Sequence, residues 1–163
     1  MIAAAVIFVN YISLHRHVAS VISSNSSNDG IKVIARYQWL VNPSTIIYDL
    51  RSVTSEKSPA DVSRVLFSFA EKIKAKEYKK VVISYQGREK FYLDGAYFKR
   101  LGEEFPTQNP IYLIRTFPEN LYMPDGSKAF GSWTGGLLGV FSKQMEDFNN
   151  FNEQWFISDY AKQ

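Results

Sequence analysis

Residues 31–53 read IKVIARYQWLVNPSTIIYDLRSV, and this stretch decides the fold class. Ile31–Val41 is crowded with β-branched and aromatic residues, the composition of a strand, and Thr45–Val53 is a second such run. Asn42-Pro43-Ser44 separates them. Proline fixes φ, and Asn and Ser bond their own backbone, so this tripeptide is a turn. Two strands joined so closely are expected to pair antiparallel.

Reading toward the C-terminus, Ser58-Pro59-Ala60-Asp61 opens a helix, with Ser58 as N-cap, Pro59 at the first helical position and Asp61 at the positive end of the dipole. Val62, Val65, Leu66, Phe69 and Ile73 then fall on one apolar stripe that carries the helix to about Lys76. Lys80–Gln86 and Glu89–Leu93 flank Gly87-Arg88 and predict a second hairpin. A short helix with Tyr97, Phe98 and Leu101 follows Asp94-Gly95, and Gly102 lies near its end. Ile111–Thr116, after the loop Pro106–Pro110, reads as a fifth strand. Phe117–Ser132 is irregular, and Thr134 is expected to cap a long helix striped by Leu137, Phe141, Met145, Phe148, Phe151 and Trp155. The predicted fold is α+β: a mixed or antiparallel sheet of about five strands with helices packed on it, preceded by an N-terminal apolar helix.

Toward the N-terminus, residues 24–30 are Ser, Asn, Asp and Gly without apolar periodicity, and read as a flexible linker. Asn25-Ser26-Ser27 within it matches a glycosylation acceptor, a pattern common by chance in such stretches. Residues 1–23 form an apolar helix and possible membrane anchor: Met1 to Val9 is unbroken apolar sequence, diluted by Asn10, Tyr11 and Ser13 and closed by His15-Arg16-His17. A spanning helix needs about 20 apolar residues, so the run alone is short. One reading takes it as the end of a signal anchor whose true start lies upstream of Met1. The other takes it as an amphipathic helix lying on the domain, with Ile2, Val6, Val9, Val18 and Ile22 on one face. The anchor is the expectation carried forward, with residues 31–163 as a single α+β domain. A chain of 163 residues can bury a core of that kind without staples.

Composition narrows the chemistry. The chain has no Cys and only two His, so Cys–His and Ser–His–Asp mechanisms need the N-terminal segment to fold back, and a His/Cys zinc site is excluded. His15 and His17, two apart on a helix, do not share a face and do not make a metal pair. No cofactor and no metal is expected. The net charge of +3 is modest. Lys72, Lys74, Lys76, Lys79 and Lys80 form a basic run open to lipid or nucleic acid, but Glu71 and Glu77 interleave it and no nucleic-acid motif appears, so no nucleic-acid partner is expected.

Two sets of residues stand out as sites. Asp49 and Arg51 lie two apart in a strand and point to one side, either as an acid/base or anion-binding pair or as a plain ion pair. Ser132-Trp133-Thr134-Gly135-Gly136 combines glycines with a helix start, where free N–H groups suit an anion, although neither a Walker loop nor a Rossmann fingerprint is present. With Arg115 these make up the ligand-binding set, and no catalytic residue is assigned. Glu146-Asp147 reads as solvated, on the helix face away from the aromatic stripe. Phe117, Glu119, Leu121, Tyr122 and Met123 form a long, apolar-rich connection, expected either to pack on the domain or to meet a partner.

Tyr37-Gln38-Trp39-Leu40-Val41-Asn42-Pro43, Tyr48-Asp49-Leu50-Arg51-Ser52-Val53, Ser58-Pro59-Ala60-Asp61, Thr107-Gln108-Asn109-Pro110, Phe117-Pro118-Glu119-Asn120-Leu121 and Trp133-Thr134-Gly135-Gly136 run through most of the domain. On these motifs the chain resembles small uncharacterised bacterial membrane-tethered envelope proteins to which no activity is assigned. The resemblance implies a bacterial envelope protein and carries over no catalytic residue. Together with the apolar helix, it gives the expectation of a protein-interaction module, an accessory subunit or an immunity- or inhibitor-type binder. That module would be held at the bacterial inner membrane with its domain in the periplasm and a protein as its partner. The alternative expectation is a small-ligand-binding or hydrolytic domain acting on an anionic substrate.

Overall fold

The computed structural model describes Ile2–Lys162. The chain begins with one continuous helix: α1 (Ile2–Asn10), a π-helical turn (Tyr11–His15) and α2 (Arg16–Ser23). Its two halves have different surroundings. Ala4, Ala5, Ile7, Phe8 and Val9 are exposed, whereas Leu14, Val18 and Val21 belong to the hydrophobic core. The 20-residue stretch Ala4–Ser23 is long and apolar enough to cross a membrane by length and composition. Of the face expected to lie on the domain, Val18 is buried and Val9 is exposed, so only the second half of the segment packs there, through Leu14, Val18 and Val21.

The stretch expected as a flexible linker is fastened. Ser26–Asn28 is a 3-10 turn, capped by the Asn25 side chain, which accepts from the Ser27 N–H. Asn28 is buried and donates to the Val21 carbonyl, while Arg64 donates to the Ser27 hydroxyl and to the Asn28 side chain. Ser27 and Asn28 bond the domain, while residues 24–27 and Asp29 remain exposed.

β1 (Ile31–Gln38) and β2 (Asn42–Val53) form the expected antiparallel hairpin. Its turn is Trp39-Leu40-Val41, not the expected Asn42-Pro43-Ser44, which opens β2; Trp39 and Leu40 are left-handed at φ 54° and 63°. Each costs about 1–2 kcal/mol relative to an ordinary backbone conformation. After β2, α3 (Pro59–Ile73) carries the chain back to the end of the sheet where β2 began. β3 (Lys80–Tyr85) therefore runs parallel to β2, the pairing a helical crossover imposes. β4 (Arg88–Asp94) returns antiparallel, and β5 (Leu121–Tyr122) adds the last, short strand. Spatial order equals sequence order, β1-β2-β3-β4-β5, in one mixed sheet.

α3 starts where the sequence predicts, with a complete Ser58–Asp61 capping box, and its striped residues Val62, Val65, Leu66, Phe69 and Ile73 are all buried. α4 (Gly95–Glu104) crosses it at Gly102, where a Cβ would stand 2.4 Å from the Ala70 carbonyl oxygen. Only glycine permits that approach. On the sheet, Ile31, Val33, Ala35 and Tyr37 and their partners Leu50, Tyr48 and Ile46 face the helices. Tyr48 lies 5.6 Å from Phe69 and 6.3 Å from Trp155, ring to ring. Pleating turns the alternate residues Ile34, Arg36, Ile47 and Asp49 to the opposite face. There Lys80 sits over Tyr92, Tyr92 stacks on Tyr122, and Lys128 sits over Tyr122.

Three local expectations are corrected. Ile111–Thr116 is not a strand but part of α5 (Pro110–Thr116), because Asn109 caps the Ile111 N–H and Pro110 occupies the first helical position. The fifth strand lies instead inside the irregular stretch, where residues 121–129 make a small hairpin closed by the Ala129 N–H on the Leu121 carbonyl. α6 (Leu137–Asn152) is preceded by Gly136 as N-cap, not by Thr134. A π-helical turn (Glu153–Ile157) joins it to α7 (Ser158–Tyr160).

Candidate interaction surface

α6 and the π-helical turn after it carry the stripe Leu137, Phe141, Met145, Phe148, Phe151 and Trp155, but the domain covers only its second half. Phe148, Phe151 and Trp155 are buried, with Phe151 stacked on Trp155 at 5.2 Å and Trp155 donating its indole N–H to the Ser84 carbonyl. Leu137 is 76% exposed, Phe141 is also exposed, and the neighbouring Leu138 is 85% exposed. An amphipathic stripe exists because something buries it, yet two turns of this one are bare.

α5 lies against the bare end. Its Ile111 and Tyr112 are exposed, while Leu113, one residue on, is in the core. Arg115 sits beside both the Tyr112 ring and the Phe141 ring, at 5.2 and 5.9 Å, and donates to the Gln144 side-chain oxygen. Gln144, itself buried, donates in turn to Glu119. This polar chain fixes α5 to α6, and the exposed apolar residues of the two helices, Ile111 and Tyr112 on one and Leu137, Leu138 and Phe141 on the other, make up the α5–α6 ridge.

Ser132–Gly136 borders the ridge. The Trp133 indole N–H donates to Asp147 at 2.6 Å, and Lys143 lies 5.6 Å from the Trp133 ring. Asp147, expected to be solvated, is buried as this partner, whereas Glu146 beside it is exposed and pairs with Lys143. Trp133, Thr134, Gly136, Gly139, Val140, Ser142 and Lys143 line a shallow cleft of about 310 Å³. Gly135, at φ 129°, needs its missing side chain.

The other expected site residues fall elsewhere. One Asp49 carboxylate oxygen accepts from Arg51 at 2.7 Å and the other from the Gly87 N–H at 2.9 Å. The pair thus clasps the β3–β4 turn to β2, on the sheet face opposite the one against which Trp155 packs. Arg115 and Ser132–Gly136 meet at α6 without Asp49 and Arg51, so the structure does not assemble the two groups into one anion pocket. In the segment expected to meet a partner, Phe117 and Leu121 are fully buried, because Phe117 fills the space between Phe67 and Phe151. Glu119 is engaged by Gln144, Tyr122 by Tyr92, and Met123 packs against the core. The residues that sequence reasoning did not single out as a surface are Ile111, Tyr112, Leu137, Leu138 and Phe141. The Leu137-Leu138 doublet beside four nearby glycines was the available signal.

Among the described residues, no group of three or more His, Cys, Asp and Glu could hold a metal ion. Comparison with protein-family models, curated proteins and solved structures finds no match to this chain.

Proposed function

We propose that this chain is a membrane-tethered protein-interaction module of the bacterial envelope, an accessory subunit or immunity-type binder whose partner docks on the α5–α6 ridge. One observation carries the reading: the aromatic stripe of α6 is buried along its second half and bare along its first. Covering Leu137 and Leu138 would contribute roughly 3–6 kcal/mol before the entropic cost of association is subtracted. The apolar N-terminal helix, long and apolar enough to cross a membrane, supports attachment to one.

A photo-crosslinking residue placed at Leu138 in cells is expected to capture one dominant protein, with Leu138→Asp abolishing capture of that protein from a neighbouring site. Recovery of the chain alone, or equal capture from an unrelated exposed position such as Glu56, overturns the proposal. The chain has no native cysteine, so Leu138→Cys also reports orientation. A membrane-impermeant maleimide labels it in spheroplasts if the domain is periplasmic, and leaves it unlabelled if it faces the cytoplasm.

A further inference from the structure

We propose that the β1–β2 turn, Trp39-Leu40-Val41, is a second membrane contact, and that with the lysines beside it this end of the molecule seats on an anionic lipid surface. The proposal rests on the membrane reading of the N-terminal helix and is independent of the α5–α6 ridge.

Position is the first support. The helix runs antiparallel to β1: Val21 is bonded to Asn28 just before the strand begins, and Asn10 is bonded at the strand's far end. There the Asn10 side chain accepts from the Tyr37 N–H and donates to the Leu40 carbonyl, both at 2.7 Å. Residues 2–9 therefore continue past the turn for about 12 Å at 1.5 Å per residue, with Ile7, Phe8 and Val9 exposed. Helix and turn leave the domain side by side. An apolar groove of about 280 Å³, lined by Ile7, Tyr11, Ile34 and Leu40 among others, connects them into one surface.

The residues of the turn are the second. Hairpin turns with left-handed backbone ordinarily use Gly, Asn or Asp. Here the left-handed positions hold Trp39 and Leu40, with Trp39 79% and Val41 68% exposed. Leu40 lines the groove with Ile7 and Tyr11, but among the described residues the Trp39 side chain makes no hydrogen bond or ring contact. A bilayer boundary accounts for it, because the amphipathic indole ring prefers that zone.

Charge complementarity is the third. The β2–α3–β3 crossover brings the end of α3 to this same end of the sheet, and the Lys79 N–H donates to the Ser44 carbonyl beside the turn. Lys76 lines a hollow with Tyr37, Pro43 and Ser44, and the charges of Lys72 and Lys76 reach His17, next to Arg16. Arg16, Lys72, Lys76 and Lys79 thus ring the base of the helix and turn. Against these four cations stand Glu71 and Glu77, and Glu77 is bonded to Lys99 at 2.8 Å, which leaves the collar cationic toward lipid phosphates.

Flotation of the full chain with vesicles tests this, using phosphatidylcholine alone and phosphatidylcholine mixed with phosphatidylglycerol. The parent is expected to float with the anionic vesicles, less as salt rises. Trp39→Gly combined with Val41→Ser is expected to lower that affinity at least ~tenfold. Gly at 39 suits the left-handed backbone, so Trp39→Gly alone keeps or raises the melting temperature while binding falls, a split that a structural role for Trp39 would not give. Lys72→Glu with Lys76→Glu lowers binding to the anionic vesicles only. If the turn variants float like the parent while Phe8→Asp does not, the helix is a tether and the turn is no contact. If the parent floats with neither vesicle, the membrane reading itself fails. A lipid-free dimer dissolved by Trp39→Gly would assign the turn to a second copy of the chain and overturn the proposal.

Discussion

Asp49 shows how one side chain can look catalytic in sequence and be structural in space. Its carboxylate lies in β2, is almost wholly buried, and is satisfied by Arg51 on its own strand and by the Gly87 N–H of the β3–β4 turn. Asp49→Ala removes the charged acceptor that the exposed Gly87 N–H bonds, and is expected to cost about 1–3 kcal/mol of stability. Arg51 is far more exposed, so Arg51→Ala is expected to cost less than about 1 kcal/mol. Urea unfolding of the two variants checks the order. Equal losses would mean that the ion pair, and not the turn clasp, is what Asp49 provides. Trp133 is a comparable case, since its indole holds a glycine-rich loop to Asp147 and lines the cleft beside it.

Among the elements, α3 and α4 are in register only because Gly102 lets the two backbones meet. Gly102→Val would place side-chain atoms on the Ala70 carbonyl and is expected to destabilise the fold by roughly 1–3 kcal/mol, as overpacking does. A wild-type melting temperature in that variant would show that the helices can separate without loss. α7 is held differently. Asp159 accepts from Lys90 at 2.8 Å and also pairs with Arg88. The hydrogen bond from Lys90, with the charges of Lys90, Arg88 and Lys162, keeps the Asp159 carboxyl below the ordinary aspartate value of 3.8. Because the folded state lowers this pKa, the clasp stabilises fully above the ordinary value and is lost as pH falls through the lowered one. The stability difference between the parent and Asp159→Asn is therefore expected to be present at pH 6 and to shrink below about pH 3.8. Parallel urea titrations check it. A difference that stays constant across that range would remove the ionic clasp.

At the scale of the whole molecule, the apolar surface is divided between two regions. One is the free end of the N-terminal helix with the Trp39 turn, and the other is the ridge on α5 and α6. Between them the domain has an ordinary buried core of Tyr48, Phe67, Phe69, Phe91, Phe117, Phe151 and Trp155. The division predicts separable losses. Leu138→Asp is expected to remove partner capture while leaving vesicle flotation and stability within about 0.5 kcal/mol of the parent, as exposed substitutions do. Trp39→Gly is expected to do the reverse. Loss of both activities in either variant would mean that the two regions act as one surface.

The sequence by itself determined the periodic elements: the two hairpins, the capped helix of Ser58–Asp61 and the apolar N-terminal segment. Each rests on residues adjacent in the chain, where propensity, turn chemistry and capping decide the outcome. It misread Ile111–Thr116 because β-branched content outweighed the Asn109-Pro110 start signal, whose strength became clear only once Asn109 was seen capping Ile111. Tertiary structure alone decided which half of each apolar stripe is covered. Leu14, Val18 and Val21 are buried while Ile7, Phe8 and Val9 are bare, and Phe148 and Phe151 are buried while Leu137 and Phe141 are bare. No periodicity distinguishes these halves, because burial depends on whether the sheet and its neighbours extend far enough to meet a given turn of helix. For the same reason the stretch 24–30 looked like a free linker, although Lys57 and Arg64 bond Ser27 and Asn28 from across the fold. The candidate surfaces lie where the helices outrun the core, and that boundary is a property of the packed molecule.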